Sequence, residues 1–373
     1  MNFSFWETDS WISNIDYCIV GSGITGLNCA LRLKAKEPEA RVLILEKGML
    51  PEGASTKNAG FACFGSISEI LEDLKTHTGD EVVKLVEKRV KGLELLRNNL
   101  GDKEIDYHSY GGYELFVPED EELYAECIQK LPEVNELLRP VFNDEVFSLA
   151  ENEFGFRNIQ PKLIYSKYEG QIDTGKMMSA LLKKIHGLGI RILNNVLVKE
   201  LANEENQIRI KTDRFDFTAK KAIITTNGFA SRLGISEVKP ARAQVLITKP
   251  FKNLPFQGTF HLDKGYYYFR NIGNRILFGG GRNLDFKTEE TDETGLTDLI
   301  QNKLKELLKT TIIPDTEFEI EQSWSGIMGV GTQKKPIIRE ISKNVYCGVR
   351  LGGMGVAIGS LVGREIADLA LKS

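Results

Sequence analysis

Tyr17-Cys18-Ile19-Val20-Gly21-Ser22-Gly23-Ile24-Thr25-Gly26 is the stretch on which the fold of this chain turns. Its first four residues form a short apolar run of the kind buried in a parallel sheet. Glycines follow at the G-x-G-x-x-G spacing. Gly21 permits a tight turn out of the strand. Gly23 lets the backbone approach a pyrophosphate, and Gly26 lets a helix pack closely on the sheet. That helix runs through Leu27, Ala30, Leu31 and Leu33 and ends before Pro38. Its N-terminal N–H groups, at Ile24 and Thr25, are offered to phosphate oxygens. Arg41 to Glu46 then reads as a second strand, and Glu46 lies twenty residues after Gly26. An acidic side chain at that place accepts from ribose hydroxyls. The fingerprint alone does not choose between NAD and FAD.

Outward from this unit the pattern changes. Residues 69–100 carry Leu, Val, Glu and Lys at helical spacing, which predicts one long amphipathic helix or two. Segments 105–117 and 238–290 alternate and hold aromatics and glycines, as antiparallel strands do. A helix is predicted at 174–188, strands at 191–193 and 221–225, and a last helix through Leu361, Ile366 and Leu369, after a glycine cluster at Gly352 to Gly359. The fold class is therefore α/β: a Rossmann-like cofactor domain with an inserted α+β domain on an antiparallel sheet. The expected boundaries are 1–75, 155–235 and 325–373 for the cofactor domain, and 76–154 and 236–324 for the substrate domain.

Bulk properties narrow the function. A formal net charge of −4 gives no basic surface for nucleic acid or anionic membrane. The five cysteines (Cys18, Cys29, Cys63, Cys127 and Cys347) form no CxxC pair, and the four histidines no HxH or HExxH. No disulfide framework or zinc site is expected, and no metal. The first residues lack a basic stretch and an apolar stretch, so no signal peptide is read, and no run approaches the ~20 apolar residues of a membrane span. A cytoplasmic protein is the expectation.

Gly53-Ala54-Ser55-Thr56-Lys57-Asn58-Ala59-Gly60-Phe61 resembles the Gly-Ala-Ser-x-Arg-Asn-Gly-Gly stretch of the D-amino-acid-oxidase-type FAD-dependent oxidoreductases, which include glycine, sarcosine and gamma-glutamylputrescine oxidases. Further matches follow in order: Gly189 to Val198, Ile223 to Gly228, Lys239 to Gln244, Tyr266 to Arg270, Ile276 to Gly280, Trp324-Ser325-Gly326, and Gly348 to Gly355. The resemblance implies non-covalent FAD and oxidation of a carbon–nitrogen bond of an amine or amino acid, by hydride transfer to flavin N5. Oxygen or another electron acceptor would take the electrons. It implies cofactor contacts at Lys47, Ala54, Ser55, Thr56, Asn58, Ala59, Gly60 and Phe61. It implies them also at Val198, Thr226, Asn227, Gly228, Gly326, Gly353, Met354, Gly355 and Val356. Lys57 either touches the cofactor or is exposed. Tyr266, Tyr268 and Arg270 alternate on one strand and are candidates for the substrate wall, although a core-and-rim strand has the same pattern. Arg350 either grips a substrate carboxylate or makes a structural salt bridge.

Four departures from the resemblance matter. Met328 stands where glycine-oxidase-like members have a carboxylate-binding arginine. Leu277 is the best match to the lysine beside flavin N5 in sarcosine-oxidase-like members. Met354 replaces a common histidine. No cysteine lies between Cys127 and Cys347 to tether the flavin. The competing expectations are a dehydrogenase with another acceptor, a flavin-binding protein without turnover, a nicotinamide enzyme, and a tRNA-modifying flavoenzyme.

Overall fold

The computed structural model describes residues 2–372. Its first sheet runs in the order Ile337–Ser342, Val345–Val349, Asp216–Ile224, Ile15–Val20, Val42–Leu45, Arg191–Leu193. All joins are parallel except the outermost, between Ile337–Ser342 and Val345–Val349. A meander of Val198–Glu204 and Gln207–Thr212 extends antiparallel from Asp216–Ile224. Strand residues alternate between two cores, as a period of two requires. Tyr17, Ile19, Val42, Ile44, Ile223 and Tyr346 face the helices. Cys18, Val20, Leu43, Leu45, Ile224 and Cys347 face the meander side. Because both faces are covered, the central strands read as continuous apolar runs.

The helix Ile24–Lys36 packs against the terminal helix Gly355–Lys372, which packs against Gly79–Leu100. Small residues set these distances. A Cβ on Gly363 would stand 2.5 Å from Thr25 O, and one on Gly92 would stand 2.2 Å from Ala357 O.

The second sheet runs Ile320–Val330, Lys239–Thr248, Arg275–Gly280, Tyr267–Ile272, Thr259–Leu262, Gly112–Glu114, Lys162–Ser166, Phe147–Glu151. It is antiparallel except between Thr259–Leu262 and Gly112–Glu114. One face is closed by an aromatic core in which the rings of Phe260 and Phe269 stack 4.6 Å apart, with the helix Asp298–Leu307 over it.

The expected boundaries differ from this arrangement in three places. Lys162–Ser166 pairs in the second sheet although it falls within 155–235. Gly79–Leu100 packs on the first unit's terminal helix although it falls within 76–154. Ile320–Val330 straddles the expected join at 324/325. The 69–100 pattern resolves into two helices, Ile67–Leu74 and Gly79–Leu100, with a capping box opening each. Among the described residues no helix is long and apolar enough to cross a membrane.

Candidate functional site

A cavity of about 610 Å³ opens at the carboxyl ends of Ile15–Val20, Val42–Leu45 and Asp216–Ile224 and extends to the second sheet at Ala243, Val245, Tyr268 and Gly280. This is the crevice in which parallel α/β sheets bind ligands, and its size is that of a ligand pocket.

The glycine turn is the floor of one end. Gly21 has φ +105°, and a Cβ on Gly26 would lie 2.0 Å from Gly21 O, so neither position admits a side chain. Gly21, Gly23, Ile24 and Thr25 line the cavity, whereas Gly26 lies beneath it. Ser55 Oγ accepts from the Ile24 N–H at 2.9 Å, which pins the 53–60 loop to the helix N-terminus. Glu46 is buried at the second strand's tip. Its Oε2 accepts from Ser22 N (3.1 Å) and Oγ (2.8 Å), and its Oε1 from Gly48 N (3.0 Å). Beyond it, Val198 lines the wall and Lys47 Nζ sits 3.6 Å from the centre of the Phe229 ring. Burial, and then the charge of Arg232, lower the Lys47 ammonium from its ordinary value.

These residues fit a dinucleotide. The cradle excludes every Cβ from its floor, it lies at a helix N-terminus, and the hydroxyls of Thr25 and Thr226 are buried without a hydrogen-bond partner.

The middle of the cavity is made from two loops. Ala54, Ser55, Asn58, Ala59, Gly60 and Phe61 line it, and so does Lys57. Asn58 spends its side chain inside the loop: Nδ2 donates to Ser55 O at 2.8 Å, and Oδ1 accepts from Gly60 N at 2.8 Å and Thr174 Oγ1 at 2.9 Å. Thr56 does not line the cavity, and its hydroxyl donates to Pro51 O at 2.6 Å. Trp324 Nε1 donates to Lys57 O at 3.0 Å, bringing Gly326 to the wall. Facing them are Gly353, Met354, Gly355 and Val356, where the terminal helix begins. Asn227 lines the cavity, and its Oδ1 accepts from both Arg350 N and Leu351 N at 3.1 Å, tying this loop to the strand end. Gly228 lies away from the wall, against Met328 O.

At the far end the strand Tyr267–Ile272 sends Tyr267 and Phe269 into the aromatic core and leaves Tyr268 on the cavity wall. Tyr266 reaches the same wall from the turn just before the strand. Arg270 does not join them. It is buried off the cavity, and its guanidinium donates to Ala59 O, to Asn271 O (3.2 Å) and to Ile172 O (2.9 Å). All of these acceptors are backbone, so Arg270 ties the 53–60 loop to the second sheet. Leu277 is buried away from the cavity as well. Met328 does line it, and a Cβ on Gly353 would lie 3.9 Å from its sulfur. Arg350 is on the wall with φ +69°, a backbone conformation that is costly for a side chain of its size. Its Nη2 donates to Gly331 O at 3.1 Å. Burial, and then the charge of Arg89, bring its guanidinium down to about 10, so it remains a cation at neutral pH.

Several wall residues have no counterpart in the sequence reading. Arg89 projects from Gly79–Leu100 and donates to Phe64 O at 2.7 Å, while its buried Nε has no partner. Asp73, also buried, pairs with Lys334. Cys63 and His261 line the cavity beside Phe61, whose ring meets those of His261 and Tyr268 edge-on at 5.3 and 5.5 Å. Behind them, Glu169 Oε2 accepts from His261 Nε2 at 2.8 Å and from Thr259 Oγ1 at 3.0 Å. Burial disfavours the imidazolium, yet the Glu169 carboxylate outweighs it and holds His261 up at about 9. Burial, and then the same carboxylate, push the Cys63 thiol well above its usual range. These residues are scattered through the chain, and strand pairing and helix packing together assemble them.

The whole arrangement has relatives. Residues 16–369 match the family described as FAD dependent oxidoreductase. The chain is 26% identical to a gamma-glutamylputrescine oxidoreductase of Escherichia coli, over 95% of this chain and 83% of the relative. It is 21% identical to a probable oxidoreductase OrdL of Haemophilus influenzae, over 96% of this chain and 84% of the relative. The solved structure of a glycine oxidase from Geobacillus kaustophilus superimposes with a TM-score of 0.78 at 21% identity, covering 96% of this chain and 95% of that one. With a family match that spans nearly all of its length and a cradle that fits the dinucleotide, this chain belongs to the FAD dependent oxidoreductases and is an enzyme whose cofactor is FAD.

Proposed function

We propose that the protein oxidises a carbon–nitrogen bond of an amine or amino acid. The observation that carries this reading is the continuity of one cavity from the dinucleotide cradle to a chamber walled by Tyr266, Tyr268, His261, Met328 and Arg350. When bound, FAD supplies the hydride acceptor at flavin N5. The protein's share of the work is to orient the substrate and exclude water. The aromatic wall of Phe61 and Tyr268 holds the carbon skeleton, and Arg350 offers a charged donor to a substrate carboxylate. Met328 leaves its own position neutral. The backbone N–H groups at Gly353 to Val356 lie at a helix N-terminus, where they favour negative charge on the group they face. The relatives' names also point to substrates that carry nitrogen.

Anaerobic titration of the yellow protein with glycine, sarcosine, L-proline, putrescine and gamma-glutamylputrescine tests this reading. Bleaching of the oxidised-flavin band by one class identifies the chemistry. Recovery on admitting air distinguishes oxygen from another acceptor. A flavin that none of these amines reduces sinks the proposal in favour of a binding protein.

A further inference from the structure

Cys63, Glu169 and His261 are buried, and their Sγ, one carboxylate oxygen and one ring nitrogen lie within 4.8 Å of one another. The backbone puts them there. Phe61–Ala62 pairs antiparallel with Gly170–Gln171, matching Phe61 with Gln171 and Ala62 with Gly170, and Cys63 and Glu169 are the residues just beyond that last pair, one on each chain segment. His261 comes from Thr259–Leu262, and Thr259, two residues earlier on the same face, holds the Glu169 carboxylate with its hydroxyl. A Cβ on Gly112 would lie 2.2 Å from Glu169 Oε2, so glycine there makes room for the carboxylate.

We propose that these three side chains form a binding site for a zinc-class divalent cation, with its fourth position open to the substrate end of the cavity. A thiolate, an imidazole and a carboxylate are the donors that select such a cation. Bonds of ~2.0 Å to N and O and ~2.3 Å to S place tetrahedral donors ~3.5 Å apart; the Glu169–His261 pair, at 2.8 Å, opens and the wider separations, all within 4.8 Å, close, with shifts on the order of 1 Å. The charge also balances: a thiolate and a carboxylate offset a doubly charged ion, and any protons the donors held leave to solvent, so the occupied site carries no uncompensated charge. Glu169 stands back from the cavity while Cys63 and His261 line it, which directs the open position at the chamber of Phe61 and Tyr268. Occupancy would therefore obstruct the substrate end.

The test is calorimetric titration of the FAD-loaded enzyme with Zn²⁺, repeated with Co²⁺ read by its d–d bands beyond the flavin absorption. Wild type, Cys63→Ser, His261→Gln and Glu169→Gln are compared, each first shown to retain stoichiometric flavin. One equivalent should bind to wild type, and each variant, having lost a direct ligand, should bind more than about a hundred-fold more weakly, the upper cost of losing an outer-shell partner alone. No stoichiometric binding to wild type, or binding of equal strength in Cys63→Ser, which alters a single atom, would overturn the site. Neither readout needs a substrate, so the result stands apart from the amine-oxidation reading.

Discussion

Arg270 shares its strand with Tyr268 of the cavity wall but spends its donors away from the cavity. Alternation along the strand sets its side, but not how far the cavity extends along that side. Its donors end on the carbonyls of Ala59, Asn271 and Ile172, and burial lowers its guanidinium to about 10, still charged at neutral pH. Arg270→Met leaves buried carbonyls without this charged donor. The expected cost is about 3 kcal/mol, read as a lower melting temperature together with weaker FAD retention. A second titratable group gives the fold a pH dependence. Burial raises Glu114 to about 7 against the donors of Ser66 and Ser68, from an ordinary 4.5. The folded state thus keeps a proton that the unfolded chain has lost between those values, so stability is greatest below 4.5, falls as pH rises through 7, and is flat in this group's contribution above. Thermal melts across that window should fall with pH in wild type and more shallowly in Glu114→Gln. An equal slope in both would remove Glu114 as the source.

At the scale of elements, what the sequence announces is what periodicity and glycine can encode. The turn at Gly21 to Gly26 and the apolar run Tyr17 to Val20 are local, and the strand Ile15–Val20 and the helix Ile24–Lys36 form around them. The helix Glu121–Phe142 is not announced, because Pro132 and Pro140 lie inside it and proline removes a donor from the helix ladder. Nor are the wall residues Cys63, Arg89 and His261, since no local spacing marks them and only sheet pairing and helix packing bring them to the cavity. The helix contacts themselves are testable. Gly92→Val forces a side chain into Ala357 O and should cost about 1–3 kcal/mol, typical of overpacking. Because the same terminal helix begins at the Gly353 to Val356 wall, flavin occupancy should fall in parallel with the helical circular-dichroism melt. Loss of stability with unchanged flavin affinity would uncouple the two.

For the molecule as a whole, the family and the cofactor are legible because their signatures are distributed in order along the chain, and the substrate is not, because its wall is a product of tertiary structure. The expectation of untethered flavin is checked by acid precipitation, which should leave all the FAD in the supernatant. Yellow colour remaining with the pellet would mean a covalent link. The threading of the first sheet has a separate consequence. Ile15–Val20 is flanked by Val42–Leu45 and by Asp216–Ile224, and the latter also pairs in parallel with Val345–Val349. Contacts so distant in sequence make the contact order high and folding slow. On the ribosome, the strand Val345–Val349 and the helix that covers Ile24–Lys36 emerge long after the first strands and the helix that they complete. Until both are out, the nascent chain holds exposed apolar strands, the state that chaperones exist to protect.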